Sequence, residues 1–339
     1  MKKTVLAIFL AAAMAIGLVP FSACAPEAAN DGVTLVDVTR EEVGVRSDID
    51  YFVVAEPAAS VKVNAIESLE FSGNLQMLYG GENGYPQAVV VIKNELLNYS
   101  VAPLFRSALA QSKNWLSSES TTVQTIVSAV NSHISGGASP TFTDKNLSKQ
   151  VIENCGINFV YAAGQVDEVT SFMGKLNAVS ETSFGTPAKK FFLGDYPAVE
   201  MPDYDGKITV YMPDGAPALG MAKLMAEEDT FYNGQVEFNV VNASIIQTFV
   251  TGNDLKADIC VLPVNMAVKL LGKGDKYKLL GTLTHGNLYM VSNGKTAITP
   301  DNISNLKGKT VGVVNLSQIP GLTFKLILKN GNIPFTEQH

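Results

Sequence analysis

The residues best placed to do chemistry lie in residues 207–223, KITVYMPDGAPALGMAK. Apolar residues 208–212 predict a short buried strand, Pro213-Asp214-Gly215 a tight turn, and Ala216 onward a small-residue helix. Pro217 falls in its first turn, where proline is tolerated. A strand that ends in a small-residue loop and opens a helix points backbone N–H groups at whatever lies beyond the strand's carboxyl end. That geometry suits hydrogen bonding of a small ligand. No nucleophile is paired with a base, and the three histidines have no metal-ligand spacing, so no catalytic residue, metal or cofactor is predicted. The competing reading is an ordinary strand–helix connection in which Asp214 satisfies only its own turn.

These elements belong to a chain of 339 residues, long enough for two domains with a real core. Hydrophobic residues make up 46% and charged residues 17%, which excludes wholesale disorder. A net charge of −7, with no basic run beyond the first residues, argues against a nucleic-acid partner. Residues 1–23 read as a signal peptide: Lys2 and Lys3 precede an apolar run, 5–19, too short for a comfortable membrane span. Ser22-Ala23 before Cys24 resembles a bacterial lipobox, although Phe21 stands where leucine is usual. Cys24 is then the lipidated N-terminus and 24–32 a tether; plain secretion is the other reading. Of the remaining cysteines, Cys260 lies in an apolar run and reads as a buried small hydrophobe; a Cys155–Cys260 disulfide is open but not required.

Along the chain, 33–38 and 50–55 predict strands, 58–65 a short helix, and 79–86 (YGGENGYP) a turn-rich loop. That loop leads into 87–93 (QAVVVIK), a β-branched run typical of a strand covered on both faces. Helical periodicity marks 101–116, 123–134, 146–153 and 165–179, with 136–140 breaking the second. Residues 193–206 read as an exposed acidic connector. The second half alternates strands (208–212, 236–241, 258–262, 277–283, 288–292, 310–314) with helices (216–228, 244–251, 265–271, 322–330), the pattern of a parallel sheet covered by helices. Asn330-Gly331 supplies a C-cap signal.

Residues 207–335 resemble the N-terminal half of ABC-transporter substrate-binding proteins of the nitrate/sulfonate/taurine and thiamine-pyrimidine-precursor family. The matching pieces are ITVYMPDGAPALGMAKLM, ADICVLPVNMAVKLLGKGDKYKLLGTLTHGNLYMVS and LKGKTVGVVNLSQIPGLTFKLILKNGNIPF. Residues 33–179 resemble the C-terminal half, through IDYFVVAEPAASV and LYGGENGYPQAVVVIKN. The order is inverted, as in a circular permutation with new ends where Gln338 would run into Asp31 and the old ends joined through 193–206. A rearranged gene is the alternative account.

The resemblance implies an α/β, periplasmic-binding-protein-like fold, two α/β lobes with a ligand cleft between them. One lobe would span 84–292. The other would combine 33–80 with 308–339, with crossing segments at 293–307 and 79–85. Cleft residues would then be Pro213, Asp214, Gly215, Asn242, Ser244, Asn265, Thr284, His285, Asn287, Ser317, Gln318, Glu56, Glu82, Asn83 and Tyr85. No arginine or lysine falls in these loops. Asp214, Glu56 and Glu82 suit a ligand with N–H donors, such as an aminopyrimidine, ahead of a sulfonate- or nitrate-type anion. Glu56 and Glu82 as merely solvated acids is the other reading, and His285 reads equally as a ligand contact or as packed beside Tyr289. The resemblance thus implies a non-enzymatic, monomeric receptor, anchored to the cell membrane through Cys24, that hands a small molecule to an ABC permease. An enzyme of the pyrimidine or menaquinone pathway on the same fold, or a non-functional rearranged chain, are the alternatives.

Overall fold

The computed structural model describes residues 31–80, 84–195 and 200–338. The signal segment, Cys24, Glu82 and Asn83 lie outside them. The chain opens with β1 (Val33–Val38), β2 (Tyr51–Ala55), α1 (Ala58–Ala65), β3 (Leu69–Asn74) and α2 (Leu75–Tyr79). It continues through β4 (Pro86–Lys93), α3 (Val101–Ala110), α4 (Ser112–Ser117), α5 (Val123–Asn131), α6 (Lys149–Asn154), β5 (Ile157–Tyr161) and α7 (Val166–Asn177). Then come β6 (Ile208–Pro213), α8 (Ala216–Ala226), β7 (Val236–Val241), β8 (Ile259–Pro263), α9 (Val264–Leu271) and β9 (Tyr277–His285). The last are β10 (Leu288–Asn293), β11 (Thr310–Val314), α10 (Ile319–Asn330) and β12 (Phe335–Gln338).

Local chemistry explains most boundaries. Asn74 caps α2 by accepting the Gln76 and Met77 N–H groups at 2.9 and 3.2 Å, Thr122 caps α5, and Ser148 caps α6. Gly215, at φ 97°, opens α8, and Pro217 sits in its first turn. Residues 244–251, expected as a helix, keep only one short 3₁₀ turn, Ile246–Phe249, because the Asn242 side chain takes the Ser244 N–H and hydroxyl for a local turn. At the end of α10 the left-handed residue is Asn332 (φ 53°), with Gly331 still near-helical.

The strands form two six-stranded sheets, ordered β12-β1-β11-β2-β10-β3 and β5-β9-β4-β8-β6-β7. Both are mixed, where an all-parallel sheet was expected: β10 runs antiparallel to β2 and β3, and β4 and β9 run antiparallel to their neighbours. Only Gly286 and Asn287 separate β9 from β10, yet β10 pairs with β2 and β3 and not with β9. β10 therefore belongs to the first sheet, and the body expected at 84–292 ends at β9. The second crossing is Gly286-Asn287, while 293–307 lies within the first-sheet half; the first crossing leaves α2 at Gly80 and reaches β4 at Pro86. In the first sheet every strand pairs only with strands from the opposite end of the chain.

β12 and β1 are neighbours, as the permuted order requires, but they run parallel, with Val33 opposite Phe335 and Val36 opposite Gln338. Gln338 therefore does not run straight into Asp31; a connection between them would have to return along the strands. The connector 193–206 is not free of the body: Ser100 Oγ donates to Asp203 at 2.6 Å, and the Tyr232 hydroxyl accepts the Tyr204 N–H at 2.7 Å.

One core is continuous between the sheets. It joins Leu35 and Val53 to Val89 and Leu262 through α7 (Val169, Phe172, Met173, Leu176) and α10, which is buried on all sides. A second core lies under α3, α4, α5 and α8 on the outer face of the second sheet, and a smaller third under α1. Cys155 and Cys260 are both buried and free, in different cores. Burial pushes both thiols up, as expected of inert small hydrophobes.

β12 is an edge strand tied back by Lys325 of α10, whose buried ammonium meets Glu337 at 2.7 Å. Truncating Glu337→Ala strands that ammonium and is expected to lower stability by about 2 kcal/mol in a urea titration. Adding Lys325→Met should recover much of the loss, because the cost lies in the unpaired charge. A double variant no better than the single would remove this explanation.

Candidate functional site

A cavity of about 400 Å³ opens where carboxyl ends of strands from both sheets meet. β2 delivers Glu56 and Pro57, β11 delivers Asn315 and, at the start of α10, Pro320. From the second sheet, β6 contributes Asp214 and Gly215, and β7 contributes Asn242 and Ala243. The N-termini of α1, α8 and α10 thus border one space, and their dipoles favour negative charge there. Pro57 stands at the N-cap of α1, and Pro217 and Pro320 are the second residues of α8 and α10; each keeps the dipole but removes one N–H donor.

Two side chains missing from the sequence-derived set complete it. Arg40, exposed just past β1, lines the cavity and makes no ion pair among the described residues. It corrects the expectation that no arginine or lysine reaches the cleft. The rule that found Asp214 at the end of β6 finds Arg40 at the end of β1. Thr141, in the loop that ends the α5 region, donates its hydroxyl to Asp214 Oδ2. Residues 136–140 read only as a helix break, and no local signal places Thr141, the next residue, at the site.

Asp214 Oδ1 accepts the Gly215 N–H at 2.8 Å, so the carboxylate does serve its own turn while also facing the cavity. Burial raises its pKa above the ordinary aspartate value, against the opposing pull of the Thr141 and Gly215 bonds and the Arg40 charge. Glu56 is not a solvated acid. It is buried, with Oε2 accepting the Ser60 N–H at 3.0 Å and Oε1 accepting the Ser60 hydroxyl at 2.7 Å and Asn154 Nδ2 at 3.1 Å. Asn154 ends α6, so this carboxylate bridges the two halves.

Glu56, Asp214, Gly215 and Asn242 of the predicted set therefore line the cavity. Pro213 ends its strand, buried beneath it, while Ser244, Ser317 and Gln318 are exposed outside the lining. Thr284 and Asn287 are buried near the crossing: Thr284 Oγ1 accepts the Ala88 N–H at 3.1 Å, and Asn287 bonds Gln87 and the Glu56 carbonyl. Asn265 is fully buried, with neither amide atom paired. Tyr85 is core, stacked on Phe172 at 5.5 Å. His285 sits beside Gln165, its Nε2 3.0 Å from Gln165 Nε2, and burial lowers its pKa to about 4. Tyr289 instead rests edge-on against Phe71.

No family model matches the chain, and no curated protein matches it in sequence. The functional reading therefore stands on this geometry. Among the described residues no cluster of histidine, cysteine, aspartate or glutamate could hold a metal ion, and no helix is long and apolar enough to cross a membrane.

Proposed function

We propose that this chain is a solute-binding lipoprotein of the periplasmic-binding-protein type, in circularly permuted order, that captures a small molecule between two lobes and delivers it to an ABC importer. The observation that carries the proposal is the cavity itself. Carboxyl ends of strands from two separate sheets face each other across it, and among the described residues the chain passes between the sheets twice. Such a site closes on its ligand by moving one half against the other. The sequence features of the first residues supply the export signal and the lipid anchor at Cys24.

The cavity chemistry refines the ligand. Asp214 accepts an amino or ring N–H, as the aminopyrimidine class would supply. Arg40 and the helix N-termini add a seat for a negative group, which strengthens the sulfonate- or nitrate-type class.

The test is a thermal-shift screen against aminopyrimidines, thiamine, taurine, alkylsulfonates and nitrate. Ligand at about 100 times its dissociation constant adds roughly 2.7 kcal/mol, a visible rise in Tm. Arg40→Ala is expected to weaken an anion-bearing ligand by about 100-fold, a charge-assisted pair. Asp214→Asn should weaken an N–H donor ligand, and the unliganded protein should become more stable at neutral pH. The sign follows from the raised pKa: Asp214 is most favourable when protonated, and its contribution is lost as pH climbs above the ordinary aspartate range. Ligands whose affinity ignores both substitutions would sink the cavity assignment, and turnover of a bound compound would move the reading to an enzyme.

A further inference from the structure

We propose that a second site, the depression beside Trp115 on the outer side of the second sheet, binds a neutral sugar ring. It is independent of the cavity between the sheets. The depression holds about 540 Å³ and lies where α4, the start of α5 and the middle of α8 meet. Its Lys223 is two helical turns along α8 from the cavity end at Ala216.

Trp115 is the sole tryptophan of the chain and packs half-buried against the core under α3, α4, α5 and α8. Around it open Gln111 and Asn114, whose side-chain amides are exposed and make no hydrogen bond among the described residues. The Ser118 hydroxyl is 2.8 Å from that of Ser120, and the Thr125 hydroxyl 2.8 Å from that of Thr122. Each keeps spare donor or acceptor capacity. The floor is rigid, because the Lys149 ammonium holds the carbonyl oxygens of Leu116, Ser118 and Thr121 at 2.6, 2.9 and 2.7 Å.

The ligand class follows from what is present. One aromatic face accepts the C–H face of a saturated ring, while planar amides and hydroxyls exchange hydrogen bonds with hydroxyls around its edge. Lys223, the cation of the lining, is already paired with Glu227 at 2.6 Å, so an anion gains little. A nucleobase would want a second aromatic side to sandwich it, and the lining holds no aromatic side chain besides Trp115.

A lone tryptophan makes the test direct. Indole emission of the full chain is titrated with glucose, galactose, mannose and N-acetylglucosamine, and with adenosine and cytidine. Saturable change with at least one sugar is expected, with a dissociation constant on the order of millimolar. Gln111→Ala and Asn114→Ala should each weaken it several-fold while leaving the melting curve unchanged, since both side chains are exposed. No response to any sugar up to about 100 mM, a response untouched by both substitutions, or saturation by the nucleosides alone would each overturn the proposal.

Discussion

Replacing Gly156 with alanine is expected to cost about 4 kcal/mol of stability, the sum of left-handed backbone strain and a clash that cannot relax. Gly156 has φ +64°, which disfavours any side chain. Its Cβ would run into the Gly286 carbonyl oxygen and stand 2.8 Å from that of His285. Those carbonyls belong to the second crossing, which cannot retreat: Gly286 itself packs against the Gln76 side chain, and the His285 N–H is bonded to the Gly156 carbonyl at 2.8 Å. Gly174→Ala is the matched control, a helix-interior glycine with open space around it, and should stabilise by up to about 1 kcal/mol. Urea titrations of the two variants decide the matter. If Gly156→Ala unfolds at the wild-type midpoint, the packing of the crossing described above is wrong.

His285 predicts the second large effect, an acid-sensitive window. Burial lowers its pKa to about 4 from an ordinary 6.5, so the fold holds the neutral imidazole while the unfolded chain takes up a proton. A depressed folded pKa gives stability that is fully present above 6.5 and is lost as pH falls toward about 4. The shift corresponds to about 3 kcal/mol over that interval, with no further loss from this group below it. Unfolding free energies measured from pH 7 to 4 should show this decline, and His285→Gln should flatten it. A variant that declines just as steeply would shift the cause to the carboxylates.

Elements whose own pattern carries the signal were legible in the sequence. Residues 236–241 alternate buried and part-exposed as a strand should, 58–65 forms a helix with the expected bounds, and the β-branched run of β4 is buried at the centre of its sheet. β3 and β5 were not legible. LEFSGN and INFVY are largely part-exposed, without clean alternation, and become strands because β10 and β9 offer them edges. β12, four residues long, is likewise set by its partner β1.

The site divides the same way. Asp214, Gly215, Asn242 and Glu56 follow from the rule that ligands meet strand carboxyl ends. That rule says nothing of Thr141, which reaches Asp214 by tertiary packing alone, or of Tyr85, which α7 draws into the core through Phe172. For Glu56 the sequence left both a cleft contact and a solvated acid open. Glu56 is buried because Ser60 and Asn154 supply its hydrogen bonds, one from each half.

The interleaving of the first sheet dictates an order of assembly. The second sheet uses strands between Pro86 and His285, a continuous segment whose strand partners are all present once it has been made. β1, β2 and β3 are made first, yet they pair only with β10, β11 and β12, which are made last. Until the final residues arrive, the earliest strands have unpaired edges and no native partner, and closing the sheet spans nearly the whole chain. A chain stopped after β9 has every strand partner of the second sheet but leaves the first as three unpaired strands, so aggregation of nascent or truncated chains should begin at the N-terminal end.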